Sequence, residues 1–113
     1  YEGLILSIFD CYEKFNKKIK FVYLAGGATK SLILPQMIAD ILNKKIYIPE
    51  GQEFGAKGAA MIAYSSITNI SLTNKIFNQS KISKVFIPNR KKHIEYQEKY
   101  KYYKYISRKL FNV

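Results

Sequence analysis

Two adjacent glycines, Gly26 and Gly27, break the run FVYLAGGATKS, which spans Phe21 to Ser31, between β-branched and aromatic residues on one side and helical periodicity on the other. Many residues can make a turn from strand to helix. A pair without Cβ atoms at that place lets a flat or charged ligand lie directly on the peptide backbone. The carboxyl end of a strand and the amino end of a helix also favour a negative group, through unpaired N–H groups and the helix dipole. The chemistry indicated is contact with a phosphate or a nucleotide. Ser31 falls where its hydroxyl can either cap the helix or reach a nucleotide edge. A plain tight turn with a serine cap has the same residues, and the spacing differs from the longer glycine patterns of the dinucleotide-binding and P-loop fingerprints.

The other residue types that could do chemistry point to structural roles. Cys11 and His93 have no sequence partners that would make either one a nucleophile or a general base. No cysteine and histidine cluster has metal-ligand spacing. Glu53 suits the first turn of the helix it opens, where a carboxylate is favourable, and Asp40 suits a local hydrogen bond. Lys30 points either to solvent or to phosphate.

Several elements must position the glycines. Leu4, Ile5, Ile8, Phe9, Tyr12 and Phe15 recur at helical spacing and predict a helix from Tyr1 to about Asn16. Ile19 to Ala25 predicts a short strand covered on both faces. Leu34, Met37, Ile38, Ile41 and Leu42 predict a second helix ending near Asn43. Pro35 is tolerated only within the first turns, which sets the start of that helix at Ser31 or Leu32. Ile46 to Ile48 predicts a second strand, closed by Pro49-Glu50-Gly51. Strand, helix and strand with short links define an α/β unit.

Phe54 to Ile70 predicts a third helix with one side almost bare, formed by Gly55, Ala56, Gly58, Ala59, Ala60 and Ala63. Glycine in a helix costs about 1 kcal/mol relative to alanine, so close packing against the nucleotide-bearing helix is expected of that side. Thr68 to Ser80 predicts a loop or short helix, and Val85 to Pro88 a short extended segment. A last helix runs from about Lys91 to Leu110, with Tyr96, Tyr100, Tyr103, Ile106 and Leu110 along one face.

At 113 residues and 48% hydrophobic, the chain suffices for one domain. Its formal net charge of +11 is the kind of balance that nucleic-acid binders carry. From Lys75 onward eleven basic residues face only Glu95 and Glu98. Most are lysines scattered among Ile, Asn and Tyr, which fits a compositional bias and a solvated helix face better than a binding surface. A single cysteine excludes an internal disulfide, and no apolar run approaches the roughly 20 residues that cross a bilayer. Both point to a soluble, cytoplasmic protein. The chain opens on Tyr1 rather than Met, as expected of a fragment of a longer protein.

Leu24 to Ala63 resembles the C-terminal domain of the FGGY carbohydrate kinases. In that family a GGGAKS-x-x-W-x-QM-x-AD run precedes a short strand and an E-x-GA-x-GAA helix. The first run is matched here by Gly26, Gly27, Ala28, Lys30, Ser31, Gln36, Met37, Ala39 and Asp40, and the helix by Glu53, Gly55, Ala56, Gly58, Ala59 and Ala60. Tyr1-Glu2-Gly3 is similar to the family's EG helix. Phe86-Ile87-Pro88 with Tyr96, Tyr100 and Tyr103 is similar to its F-x-P … Y … Y ending. Within the family, PEGQEFGAKGAA looks most like erythritol and L-xylulose kinases.

The resemblance implies a ribonuclease H-like, actin-like ATPase fold of two domains with ATP and Mg2+ between them, this chain being the later part of the second domain. It implies that Gly26 and Gly27 lie against the adenosine and α-phosphate, with Ala28 beside them and Ser31 near the adenine. It implies a sugar or polyol substrate and the rest of the kinase chain as partners, without nucleic acid or membrane, and it admits a homodimer. The family's catalytic aspartate, sugar-binding residues and phosphate loop precede this region, so no catalytic residue is expected here and the segment alone should be inert. Two other readings compete: a small basic module gripping nucleic acid through its tyrosine- and lysine-rich tail, and a non-catalytic actin-like relative.

Overall fold

Glycine turn, helices and strands follow one another in the order the periodicity predicts, and a computed structural model describes residues 1–15, 18–77 and 80–112. The elements are α1 (Glu2–Glu13), β1 (Phe21–Tyr23), a 3-10 turn (Gly27–Lys30), α2 (Leu34–Leu42), β2 (Lys45–Pro49), α3 (Phe54–Thr68), a second 3-10 turn (Lys75–Phe77), β3 (Ile82–Phe86) and α4 (Arg90–Phe111).

The sheet has three strands in the order β1-β2-β3. β1 and β2 are parallel, with Val22 opposite Ile46 and Tyr23 opposite Tyr47. Parallel neighbours need a crossover, and α2 supplies it. β3 returns antiparallel to β2, setting Phe86 opposite Ile46 and Lys84 opposite Ile48, with an irregularity at Ile48/Pro49.

Alternation along the strands sends Val22, Ile46, Ile48 and Phe86 to one face. Three helices bring core residues together with that face. Ile5, Leu6 and Phe9 of α1, Ile38, Ala39, Ile41 and Leu42 of α2, Ile46 of β2 and Tyr100 of α4 form one buried cluster. Phe9 and Tyr100 meet edge to face with centroids 4.8 Å apart, a favoured aromatic geometry. The other face of the sheet carries Phe21, Tyr23 and Tyr47, whose rings touch one another, with Phe21 and Tyr23 exposed.

Several expectations shift. β1 is shorter than Ile19 to Ala25, and it is covered on one face only. α1 ends at Glu13, and the expected boundary, Asn16, lies outside the described residues. α2 begins at Leu34 rather than at Ser31 or Leu32, because the 3-10 turn and the Ser31 side chain hold the preceding residues. α3 ends at Thr68, beyond which the described residues up to Ser80 hold only the turn Lys75–Phe77 as regular structure, and β3 begins at Ile82. α4 starts at Arg90 because Asn89 Oδ1 accepts a hydrogen bond from Lys92 N at 3.2 Å. Leu110, expected on its packed face, is exposed.

The largest correction concerns α3. None of its residues is buried, and a Cβ built at Gly55 or Gly58 meets nothing within 4 Å. The predicted packing of its bare side against α2 does not form. Glycine and alanine offer little apolar area, so such a side holds a neighbour only at close range, and no described residue comes that near. Among the described residues no helix is long and apolar enough to cross a membrane.

Candidate functional site

Because β1 and β2 are parallel, their carboxyl ends reach the same edge of the sheet, and the antiparallel β3 brings its amino end there. The segments at this edge enclose a cleft of about 620 Å³. Gly26, Gly27, Thr29 and Lys30 form one wall, Pro49 to Gly55 after β2 form a second, and Ser83 and Lys84 of β3 close the third side. Ligands of open α/β sheets bind at such edges.

The glycine wall is tightly built. Gly26 has φ +84° and ψ −161°, a region populated essentially by glycine and costing an L-residue on the order of 1–3 kcal/mol. Thr29 fixes it by donating from both its backbone N–H and its hydroxyl to the Gly26 carbonyl, at 3.1 and 2.7 Å. Gly27 is different. Its φ is not among the positive values, and a Cβ built on it meets nothing within 4 Å. The described chain therefore gives no conformational or steric reason for glycine at this position.

Of the four residues singled out for nucleotide contact, Gly26 and Gly27 line the cleft, while Ala28 and Ser31 do not. Ala28 is half-buried, and its carbonyl accepts from Ser31 N at 3.4 Å. The Ser31 hydroxyl accepts from Ile33 N at 3.3 Å and Leu34 N at 3.1 Å, the capping alternative of the two roles open to it. Lys30 lies in the cleft wall.

The opposite wall contains two residues with left-handed backbone, Gly51 at φ +115° and Glu53 at φ +53°. Glu53 precedes the first turn of α3 instead of lying within it, and its carboxylate caps no N–H group. Its backbone carbonyl accepts from Lys57 N at 3.0 Å. Glu50 and Glu53 balance Lys30 and Lys84 in the lining, so bare backbone rather than net charge is the distinctive feature of the cleft. No group of three or more His, Cys, Asp or Glu suited to a metal ion occurs among the described residues.

Ser83 and Lys84 escaped sequence reasoning. The signal was indirect, since only the antiparallel return of β3 places Lys84 opposite Ile48 and lets the Ser83 hydroxyl donate to the Ile48 carbonyl at 3.0 Å. The loop Glu50 to Glu53 was more accessible, because Pro49-Glu50-Gly51 ends the second of two parallel strands and must share an edge with the glycines. Asp40 and His93 lie away from the cleft. Asp40 Oδ1 accepts from Gln36 Nε2 and from Asn89 N, each at 2.8 Å. His93 Nδ1 stands 3.0 Å from the Asp40 carbonyl, which can only accept, so that nitrogen carries the proton. Tyr100 Oη of α4 donates to Asp10 Oδ1 of α1 at 2.6 Å. That bond, with Lys14, holds the Asp10 carboxyl below its ordinary range, while burial and Asp10 push the Tyr100 hydroxyl up.

Residues 1–67 match the model of the FGGY family of carbohydrate kinases, C-terminal domain. The chain is 33% identical over 110 residues to a probable L-xylulose kinase of Haemophilus influenzae, covering 94% of this chain and 22% of that one. It is 37% identical over 82 residues to glycerol kinase 2 of Sulfolobus acidocaldarius, covering 73% of this chain and 16% of that one. Among solved structures, a ligand-bound xylulose kinase from Lactobacillus acidophilus aligns with a TM-score of 0.81 and 28% identity, covering 96% of this chain and 23% of that one. A kinase from Brucella ovis, described as a xyloylose kinase, aligns at 0.82 and 25% identity over the same shares.

The chain belongs to the FGGY family of carbohydrate kinases and shares the ribonuclease H-like, actin-like α/β fold of the kinase structures it matches. It spans about a fifth of the length of these relatives.

Proposed function

We infer that this chain is the nucleotide-binding part of a longer ATP-dependent carbohydrate kinase, and that Gly26 and Gly27 receive the adenosine and α-phosphate. The observation that carries this is Gly27. A residue kept bare where neither its φ nor any described neighbour requires it, at the carboxyl edge of a parallel strand pair, is explained by a ligand lying on the backbone. Membership of a kinase family supports ATP as that ligand.

The roles of the four residues separate. Gly26 sets the direction of the turn, Gly27 offers the contact, Ala28 supports them from beside, and Ser31 acts by capping the helix behind the turn. Mg2+ would be held by the nucleotide and by residues outside this chain, where it would neutralise phosphate charge. Bound ATP supplies the phosphoryl group. This segment contributes binding and orientation, since the base for the attacking hydroxyl and the groups holding the γ-phosphate lie elsewhere in the kinase. The acceptor is a sugar or polyol, of the kind that the names of its xylulose and glycerol kinase relatives indicate. The enzyme works in the cytoplasm.

Gly27→Val tests this cleanly. The substitution meets no described atom within 4 Å of its Cβ, so it should fill the cleft without disturbing the fold. Calorimetric titration of ADP into the longest natural chain containing this segment should show binding, and the variant should lose it while its circular dichroism is unchanged.

A further inference from the structure

Gln36 and Asp40 lie on one face of α2, and neither lines the cleft. Gln36 Nε2 donates to Asp40 Oδ1 at 2.8 Å and to the Ile87 carbonyl at 2.9 Å. Asp40 is buried, and its Oδ1 also accepts from Asn89 N at 2.8 Å. One helix face is thereby tied by side chain to backbone bonds to the turn Ile87 to Asn89, which joins β3 to α4. Asp40 is the buried member of the set, so losing Gln36 takes a donor from a buried carboxylate and losing Asp40 takes the acceptor from Asn89 N.

Both tied segments lead into the cleft. The amino end of α2 is capped by Ser31, which follows the glycine turn directly. β3, which ends at Phe86, carries Ser83 and Lys84 on the facing side. The ladder of β1 ends at Tyr23, extended only by Leu24 N donating to the Tyr47 carbonyl at 2.9 Å. Beyond Leu24 the glycine turn has no strand partner among the described residues, so its placement depends on α2.

We propose that Gln36 and Asp40 are positioning residues for the nucleotide, fixing the gap between the Gly26 to Lys30 wall and the Ser83 to Lys84 wall of the cleft. This rests on the nucleotide reading above. A small displacement of one wall weakens contacts that the residues themselves never make.

The test titrates ADP into the full kinase and into Gln36→Met, Asp40→Ala and Asp40→Asn, at a temperature where circular dichroism shows each folded. Gln36→Met and Asp40→Ala should weaken ADP binding about ten-fold, the equivalent of one hydrogen bond lost from a partly buried network. Asp40→Asn keeps an oxygen acceptor for Asn89 N and should bind like the unaltered enzyme. Ile5→Val, which trims the core on α1, should lower the unfolding temperature and leave ADP affinity unchanged.

If Asp40→Ala does not fold, Gln36→Met decides. Unaltered affinity in Gln36→Met, or an equal loss in Ile5→Val, would overturn the positioning role and leave the nucleotide site standing. No ADP binding by the unaltered enzyme would overturn the nucleotide reading and this role with it.

Discussion

Gly26 and Gly27 are adjacent, yet the structure gives them different reasons to be glycine, and substitution should separate them. At Gly26 the positive φ with extended ψ makes Ala costly by roughly 1–3 kcal/mol, read as a lower unfolding temperature. At Gly27 even Val should leave stability nearly unchanged. Asp10 carries a pH prediction. Its carboxyl is held below the ordinary 3.8 by the Tyr100 and Lys14 bonds, so its contribution to stability is present above that value and fades as pH falls through the lowered one. Urea unfolding of Asp10→Asn should show a deficit at neutral pH that shrinks as the solution is acidified below 3.8. The glycine pair was legible in the sequence because Gly and β-branched residues have opposite local demands. The capping role of Ser31 was legible only as one of two alternatives, since both place a serine at the same position.

At the scale of elements, α2 and β2 were readable because their apolar residues repeat at one spacing and that spacing agrees with what they bury. α1 and α4 were readable as helices but not in the residues they bury: Leu4, Ile8, Phe15 and Leu110 of the expected faces are exposed, and Leu6, outside the expected face of α1, is buried. Ile41 is fully buried on α2, so Ile41→Ala should cost about 2–5 kcal/mol in chemical unfolding. α3 was misread in packing, although its bounds were nearly right. Small residues on a helix face state that something can come close, not what comes or whether it belongs to the same segment. Within this chain, Gly58→Ala should strengthen α3 by about 1 kcal/mol, because the glycine lies in the helix with nothing near it. Amide hydrogen exchange across Phe54–Thr68 measures it, and slower exchange is expected. The β3 register was not legible at all, since a five-residue strand carries too little pattern to announce which partner it pairs with.

At the scale of the whole molecule, the basic excess sits mainly from Lys75 onward, where eleven basic residues face Glu95 and Glu98. Four ion pairs are present among the described residues, all between partly or largely exposed groups, and such pairs contribute little. The exposed aromatic face of the sheet weighs more. Phe21 and Tyr23 stand open beside Tyr47, and contiguous apolar surface of this kind drives association. Sedimentation of the isolated chain should reveal self-association. The central claim concerns the cleft, and one titration addresses it most directly: ADP into the longest natural chain containing this segment, alongside its Gly27→Val variant. Binding to the natural protein and none to an equally folded variant is the predicted result. Equal binding to both, or binding to neither, would contradict it and leave the glycine pair as no more than a turn.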